Sequence, residues 1–452
     1  MPRTWIARQT EEPALRVAVV GGGAAGVITA VHLLREADAE HPVDVRIIER
    51  GRTLGPGLAY SHDHPRLLVN NYAGRLSALA DEPDHLLQWC ARRGTDVGPT
   101  DFPRRSEYGA YLAGLLDDAV VPRGSALGQV RGVATDIEPS GSSLRVKLTG
   151  DWSVEADVVV LALGNPPPRA HPVFRSHSRF VADPWTPELA WQIGDAGEVL
   201  VLGTGLTMVD VVAQLQEQLP MARFTAVSRT GRLPATHRRR SMPLHETFEA
   251  ETGSLDRLLE QVGTRVRQRQ EAGGDWRDVL DSLRASANDL WTALPPEDQE
   301  RFVDQVARDW ERLRHRMCPD MADLVAAMQR SARLRVRTLE GLAIHQYDAV
   351  VNCTGPGPVH AYGWNRLVDS LRDRGTVRPH RLGLGLDLDQ EGHVVSADGT
   401  PDPRIVAVGA ARRGLEWEVT AIPDLRTQAA ALARGLLGSR STTQEEVGAD
   451  TA

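Results

Sequence analysis

Arg16-Val17-Ala18-Val19-Val20-Gly21-Gly22-Gly23-Ala24-Ala25-Gly26 constrains this chain more tightly than any other stretch. Four apolar residues make a short buried strand, and Gly21, Gly23 and Gly26 follow as a Gly-x-Gly-x-x-Gly. Val27 to Glu36 reads as a helix with Val27, Ala30, Val31 and Leu34 on one face. A second strand, Val43 to Ile48, ends on Glu49 and Arg50. Gly21 allows the tight turn, Gly23 lets the backbone approach a pyrophosphate, and Gly26 lets helix and strand pack closely. The helix N-terminus, at Ala24 and Ala25, faces phosphate charge, and Glu49 accepts from a ribose hydroxyl. Strand, turn, helix, second strand and acid in this order are a dinucleotide-binding fingerprint rather than a plain tight turn.

Glu198 to Asp210 restarts the pattern. A strand, Val199 to Leu202, runs into Gly203-Thr204-Gly205-Leu206-Thr207-Met208 and a helix that continues through Leu215. Met208 stands where the first unit has its third glycine, so helix and strand are expected to pack less tightly. The next strand, Phe224 to Val227, ends on Ser228-Arg229 where the first unit has Ile48-Glu49. An acid suits a bare ribose hydroxyl. A guanidinium beside a hydroxyl suits a 2′-phosphate, which it pairs in bidentate fashion. The first unit is therefore expected to hold FAD, through Gly21, Gly23, Ala24, Ala25, Gly26, Glu49 and Arg50. The second is expected to hold NADPH, through Gly203, Thr204, Gly205, Thr207, Ser228 and Arg229. Gly164, Gly355 and Gly409 close buried strands and count among the cofactor-binding positions. Pro423 presets a helix start, and that helix N-terminus, at Thr420, Ala421 and Ile422, suits negative charge on a flavin edge.

These patterns predict an α/β chain with two Rossmann-like dinucleotide-binding domains. The FAD domain is discontinuous: residues 15–165 form its first part and 341–437 return to it. The NADPH domain spans 195–340, with a helical insertion at about 237–332. Residues 438–452 read as a disordered tail. Short strands are expected at Gly132 to Ile137, Leu144 to Leu148 and Val154 to Leu163, with Lys147, the sole lysine, on an edge strand. Arg238-Arg239-Arg240 could add to the field around the NADPH phosphate. Phe102-Pro103-Arg104-Arg105 reads first as a solvated charge pair and second as an anion contact.

With 452 residues the chain exceeds one simple core, and 41% hydrophobic residues is ordinary for a globular protein. A net charge of −8 gives no support for nucleic-acid binding. Met1 to Arg16 is polar, without an apolar signal core, and no run is long enough to span a bilayer, so a cytoplasmic location is expected. Cys90, Cys318 and Cys353 lie far apart, which argues against a redox pair and a cysteine zinc site. His62 and His64 lack a third ligand, and no metal is expected.

Gly57-Leu58-Ala59-Tyr60-Ser61, Leu67 to Asn70, Gly74-Arg75-Leu76-Ser77-Ala78, Pro83 to Trp89, Arg104 to Gly109, Gly203 to Asp210 and Trp417-Glu418-Val419-Thr420-Ala421-Ile422-Pro423 resemble a bacterial flavoprotein family. It is a group of FAD/NAD(P)-binding proteins distantly related to flavin-dependent N-hydroxylating monooxygenases, and the resemblance covers most of residues 15–437. Two features depart from monooxygenase patterns. Phe174 to Phe180 lacks the glycine and spacing of their linker signature, and Ala410 stands where many flavoproteins carry an aspartate. The resemblance implies FAD, NADPH and redox chemistry. The resulting expectation is a monooxygenase in which NADPH reduces the flavin, oxygen adds to form a C4a-hydroperoxide, and a small-molecule amine or amino acid-like nitrogen takes the distal oxygen. Asn70, Asn71 and Arg75 are the candidate catalytic residues, although Asn70-Asn71 also suits a turn cap. An NADPH-dependent flavin oxidoreductase and a non-catalytic flavoprotein are the alternatives.

Overall fold

The computed structural model describes residues 14–169, 171–239 and 253–449, with residues 439–449 described by backbone alone. The basic run's Arg240, most of the polar N-terminal stretch and residues 450–452 lie outside these.

The strands are β1 (Leu15–Val20), β2 (Val43–Glu49), β3 (Ala126–Arg131), β4 (Ala134–Ser140), β5 (Ser143–Leu148), β6 (Ser153–Ala156), β7 (Val158–Leu161), β8 (Phe180–Val181), β9 (Glu198–Leu202), β10 (Arg223–Ser228), β11 (Leu334–Thr338), β12 (Ala349–Asn352), β13 (His393–Val395) and β14 (Pro401–Ala407). They form three sheets. The first has the order β13-β14-β7-β1-β2-β3, the second β11-β10-β9-β12-β8, and the third β4-β5-β6. The first is parallel except for the β13–β14 pair; the second is parallel throughout. Parallel strands buried on both faces read as continuous apolar runs, and β1, β7, β9 and β12 are such runs.

Each parallel sheet reverses its strand order at the strand that feeds a glycine turn. β1 lies between β2 and β7, and β9 between β10 and β12. Helix α1 (Ala24–Glu36) leaves the first turn and packs against the last helix, α4 (Ile422–Ala449), through Leu33, Ala433 and Leu437. The return to the first unit comes later than residue 341, because β12 still pairs in the second sheet; from Val359 on, Leu367, Leu371 and Val377 share the core of β1 and β7, and β13 and β14 then complete the first sheet. Two connections, after β7 and after β12, run side by side between the sheets, with Gly357 N donating to Pro167 O.

Several expectations need correction. Val154 to Leu163 is two strands rather than one. The break falls at Asp157, whose carboxylate is taken up by Arg16 N, Nε and Nη2, so β6 leaves with the small antiparallel sheet. β5 is central in that sheet, not an edge, and Lys147 pairs across it with Glu138 at 2.5 Å. β3, the outer parallel strand beside β2, lay in a stretch without strong periodicity. The segment read as a tail is helical as far as Ala449, because it continues α4 without a break.

Arg104-Arg105 is not a solvated pair. Arg105 begins helix α2 (Arg105–Asp117) and meets Asp210 of helix α3 (Leu206–Gln218) at 2.5 Å, joining the first sheet's helices to the second's. Asp210 is buried, and burial raises its carboxyl pKa even beside the guanidinium. Arg105 also donates to Leu68 O and lies 5.4 Å from the Trp185 ring. Breaking a buried pair from one side leaves an uncompensated charge, at about 3–5 kcal/mol. Arg105→Met is expected to lower unfolding free energy by that order, with Arg105→Met/Asp210→Leu recovering part of it. Denaturant titration checks this; a loss no larger than an exposed pair's ~1 kcal/mol contradicts it.

Candidate active site

The two glycine turns share one geometry. Gly21 and Gly203 both have φ of +112°, outside the range of ordinary side chains. A Cβ on Gly21 would stand 2.2 Å from Ala162 O, and one on Gly203 2.1 Å from Cys353 O. Gly21 N donates to Ile48 O and Gly203 N to Val227 O, which closes each turn over its second strand. Gly26 is required for a separate reason: its Cβ would stand 1.9 Å from Gly21 O. Met208 takes that place in the second turn and is fully buried in the core there. By contrast, a Cβ on Gly23 would meet only Gly57 Cα at 3.5 Å, and one on Gly205 would meet nothing within 4 Å. These are open cradles at helix N-termini, the shape and polarity a pyrophosphate needs.

The ends of the second strands differ as their side chains dictate. Glu49 Oε2 accepts from Gly22 N at 2.9 Å and Oε1 from Gly51 N at 3.0 Å. This fixes the carboxylate and leaves lone pairs for a ribose hydroxyl. Arg50 beside it is exposed. Ser228 Oγ accepts from Gly231 N, and Thr204 Oγ1 donates to Arg232 O at 2.7 Å while lying 3.0 Å from Ser228 Oγ. Arg229 is exposed and has no acid beside it among the described residues. Burial and the charge of Arg308 lower its pKa. Two guanidinium groups without an intervening carboxylate favour an anion. Two arginines of the basic run, Arg238 and Arg239, are matched by acids of their own. Arg238 is neutralised by Asp275 and Asp278, and Arg239 by Asp320 and Asp323.

Gly409 is buried, has φ of +70°, and would place a Cβ 3.7 Å from that of Ala25. The structure thus brings Gly409 to the first turn. Its N–H is held by Gln428 Oε1 at 3.0 Å, and Gln428 Nε2 donates to Glu416. Ile422 is buried at the start of α4, Ala421 is half-buried and Thr420 exposed. Thr207 lies in the first turn of α3. Gly164 and Gly355, with φ of +70° and +84°, stand where the chain leaves β7 and β12 and meet no neighbour within 4 Å of a Cβ.

Asn70, Asn71 and Arg75 lie between the two glycine units. Asn71 Oδ1 accepts from Tyr72 N, which is a turn cap. Asn70 O accepts from His237 Nε2 at 3.3 Å, and this puts the imidazole proton on Nε2. Burial, then the charge of Arg316, pushes the His237 pKa down to about 3, so the ring is neutral. Arg75 faces Asp281 at 4.0 Å, and Asp281 pairs with Arg316 at 2.8 Å. Arg284 donates to Asp424 at 2.8 Å, and Arg314 faces Glu418 at 3.5 Å. Asn288 Oδ1 accepts from Trp417 N and Glu418 N, and its Nδ2 donates to Glu418 O. Trp310 Nε1 donates to Glu418 Oε1, and Trp291 Nε1 to Gly414 O. The helical insertion is thereby clamped over residues 414–424 and the turn Ala73–Arg75.

Sequence reasoning missed His237, Asp281, Arg284, Arg314 and Arg316. In the sequence they stand within an ordinary charged helical stretch and carry no spacing signal. His62 stacks near Trp185, and His64 lies 3.5 Å from Glu217. A separate cavity of about 410 Å³, lined by Arg66, Asp96, Asp101, Arg104, Glu107 and Asp320 among others, touches neither glycine turn.

Residues 18–166 match the family described as FAD-NAD(P)-binding. These residues form an FAD/NAD(P)-binding domain. Salicylate hydroxylase of Pseudomonas putida is 26% identical over 162 residues, 33% of this chain and 36% of that protein, so the match spans about a third of that relative's length. The ornithine N-hydroxylase of Kutzneria sp. 744, in a structure with reduced FAD, NADP⁺ and L-ornithine, superposes with a TM-score of 0.58 at 14% identity, covering 95% of this chain and 100% of that one. The FAD-bound cadaverine monooxygenase DfoA of Erwinia amylovora gives 0.61 at 12% identity, covering 94% and 95%. A bacillithiol disulfide reductase of Bacillus cereus gives 0.51 at 13% identity, covering 94% and 99%. The chain has the two-domain fold of flavin-dependent monooxygenases and oxidoreductases. Among the described residues, no helix is long and apolar enough to cross a membrane.

The open cradle at Gly23 yields a test. Gly23→Val adds a side chain where φ is an ordinary −78° and the Cβ has room, so the variant should fold and lose FAD. Gly26→Ala should instead lose stability. Flavin absorbance of the purified proteins and their melting curves separate the two. A Gly23→Val protein carrying a full complement of flavin contradicts the assignment.

Proposed function

We propose that this protein is an FAD- and NADPH-dependent monooxygenase that hydroxylates a nitrogen of a small-molecule amine or amino acid-like substrate. The observation that carries the reading is the pair of like-shaped glycine turns, one ending on Glu49 and the other on Ser228-Arg229, with a buried polar junction roofed by helices between them. FAD fits the first turn, through Gly21, Gly23, Ala24, Ala25, Gly26 and Glu49, with Gly409 and the α4 start at Thr420–Ile422 beside it. NADPH fits the second, through Gly203, Thr204, Gly205, Thr207 and Ser228, with Arg229 toward the 2′-phosphate. Bound flavin supplies the electron transfer and oxygen activation; the protein supplies orientation and a water-poor site.

Within that site the N-terminus of α4 contributes the positive end of a helix dipole; Pro423 has no N–H and the Asp424 and Leu425 amides donate to Ala421 O, so the dipole rather than a row of free donors favours negative charge there. His237 holds the Asn70 backbone and, being neutral, takes no proton from a substrate amine near neutral pH. Arg75 sets a positive charge on the same side, which disfavours a protonated amine and favours the free base whose lone pair is the nucleophile. Glu418 and Asp424, paired with Arg314 and Arg284, balance part of the positive charge.

The shared fold includes a disulfide reductase, but this chain's thiols do not support a thiol relay. Cys90, Cys318 and Cys353 are free and buried; burial pushes Cys318 up to about 11 and Cys353 well above the usual thiol range.

The test is oxygen accounting. Without substrate, NADPH oxidation should release hydrogen peroxide; an accepted amine should divert oxygen into product, and the rate should rise with pH as the bound amine loses its proton. With labelled dioxygen, one labelled atom should enter the product per NADPH at full coupling. Substrate oxidation without oxygen, by an added electron acceptor and with no label incorporated, defeats the proposal and favours the oxidoreductase.

A further inference from the structure

We propose that the junction of residues 70–75, the helical insertion and the start of α4 is an anion site that takes a carboxylate carried by the small-molecule substrate. This rests on reading that junction as the substrate side of the flavin.

Four guanidinium groups meet there, those of Arg75, Arg284, Arg314 and Arg316, against three carboxylates, Asp281, Asp424 and Glu418. Each acid is paired, Asp281 with Arg316 and Arg75, Asp424 through Oδ1 with Arg284, and Glu418 with Arg314 and Trp310 Nε1, while Asp424 Oδ2 is buried without a partner. Among the described residues no further carboxylate pairs with these four guanidinium groups. Asp275 and Asp278 serve Arg238, Arg269 and Arg277, while Glu311 serves His315 and Arg413. His237 is neutral and adds no negative charge.

The hydrogen-bond accounting agrees with the charge. Arg284 Nε, Arg314 Nε and Arg316 Nη2 are shut from solvent and have no hydrogen-bond partner, and Arg314 Nη2, at 3.5 Å from Glu418 Oε2, makes an ion pair without a hydrogen bond. The Arg316 side chain is 2% exposed. Charged donors left unpaired in a low-dielectric interior are costly, and proteins rarely leave several of them together. Burial, then the charges of neighbouring arginines, lowers the Arg284 pKa to about 10, the direction expected where one more negative charge is wanted.

The size of the imbalance selects the ligand. Within the four-guanidinium cluster one positive charge is unmatched, which a monoanion balances; the adjoining Arg238, Arg269 and Arg277 against Asp275 and Asp278 leave a further positive charge nearer solvent. A planar carboxylate also matches the fork of a guanidinium. Arg75, at 29% exposed, is the most open of the four and marks the side of entry.

The experiment uses the flavin-loaded full chain, titrated at constant ionic strength with glutarate, benzoate and inorganic phosphate. Melting temperature and tryptophan fluorescence report binding; Trp276 lies under Arg316, and Trp310 touches Glu418. At least one carboxylate should raise the melting temperature and change fluorescence saturably, at about tenfold lower concentration than phosphate. Arg284→Met, or Arg75→Met should the first not fold, should weaken that binding by about tenfold or more with flavin content unchanged. No saturable response to either carboxylate, tighter binding of phosphate, or wild-type binding by a folded variant overturns the proposal. Loss of flavin on substitution also overturns it, since the cluster would then serve the cofactor. Carboxylate binding without oxygen chemistry faults the monooxygenase reading alone, whereas oxygen insertion into a substrate without a carboxylate faults this inference alone.

Discussion

The carbonyl of Ala162 leaves no room for a side chain on Gly21, and the carbonyl of Cys353 leaves none on Gly203. Much of the structure depends on these two close approaches. Each brings the end of a central strand onto the strand beside it and turns the following helix so that its N-terminus opens toward the sheet edge. The neighbouring strands are then parallel and buried on both faces, which is why β1, β7, β9 and β12 are short and almost wholly apolar. Gly26 completes the first turn by letting α1 settle against Gly21. Met208 shows that the second turn tolerates a side chain at that step when the core accommodates it.

Two such units need a fixed relation if electrons are to pass between cofactors bound to them. Polar contacts, from the buried to the exposed, supply it together with the packing of Leu68 and Phe102 against the second unit's core. Arg105 pairs with Asp210 across the units, Arg66 with Glu217, and Tyr72 donates to Arg238 O. The insertion adds Asn288, Trp291, Trp310 and Arg284, which grip the segment before α4 largely through its backbone. Backbone-directed bonds hold that segment's path whatever its side chains are, leaving residues 417–422 free to be shaped for a ligand. The cost is a set of buried guanidinium groups whose donors are not all satisfied by protein atoms, and this excess charge is the basis for expecting an anionic ligand.

Sequence alone made the nucleotide units legible because their constraint is local: a glycine that must have positive φ, an apolar strand and an acid or arginine lie within about thirty residues, the scale of one βαβ unit. The return of the strand before Gly409 to the first sheet was also legible, from its apolar run and glycine exit; the contact between Gly409 and Ala25 itself joins residues far apart in the chain. The insertion read correctly as helical, but its role did not. Arg284, Arg314 and Arg316 look like ordinary surface charges in a helix-rich, arginine-rich stretch; only tertiary packing puts them beside Arg75. Arg104-Arg105 carried the same ambiguity, and one of the two proved to be the buried link to Asp210. The break at Asp157 was hidden because Val154 to Leu163 is apolar enough to read as one strand.

The central claim is that the two turns hold different nucleotides that communicate, an electron donor at Gly203 and a flavin at Gly21. The most direct test is an anaerobic mixing experiment in which the purified flavoprotein meets NADPH or NADH and the flavin absorbance is followed in time. The account predicts that NADPH bleaches the flavin, that NADH does so far less effectively, and that Arg229→Ala removes most of this preference. A charged hydrogen bond to phosphate contributes ~1.5–3 kcal/mol, so the preference should fall by roughly ten- to a hundredfold. A flavin that neither coenzyme reduces, or that both reduce equally well in the unaltered protein, contradicts it.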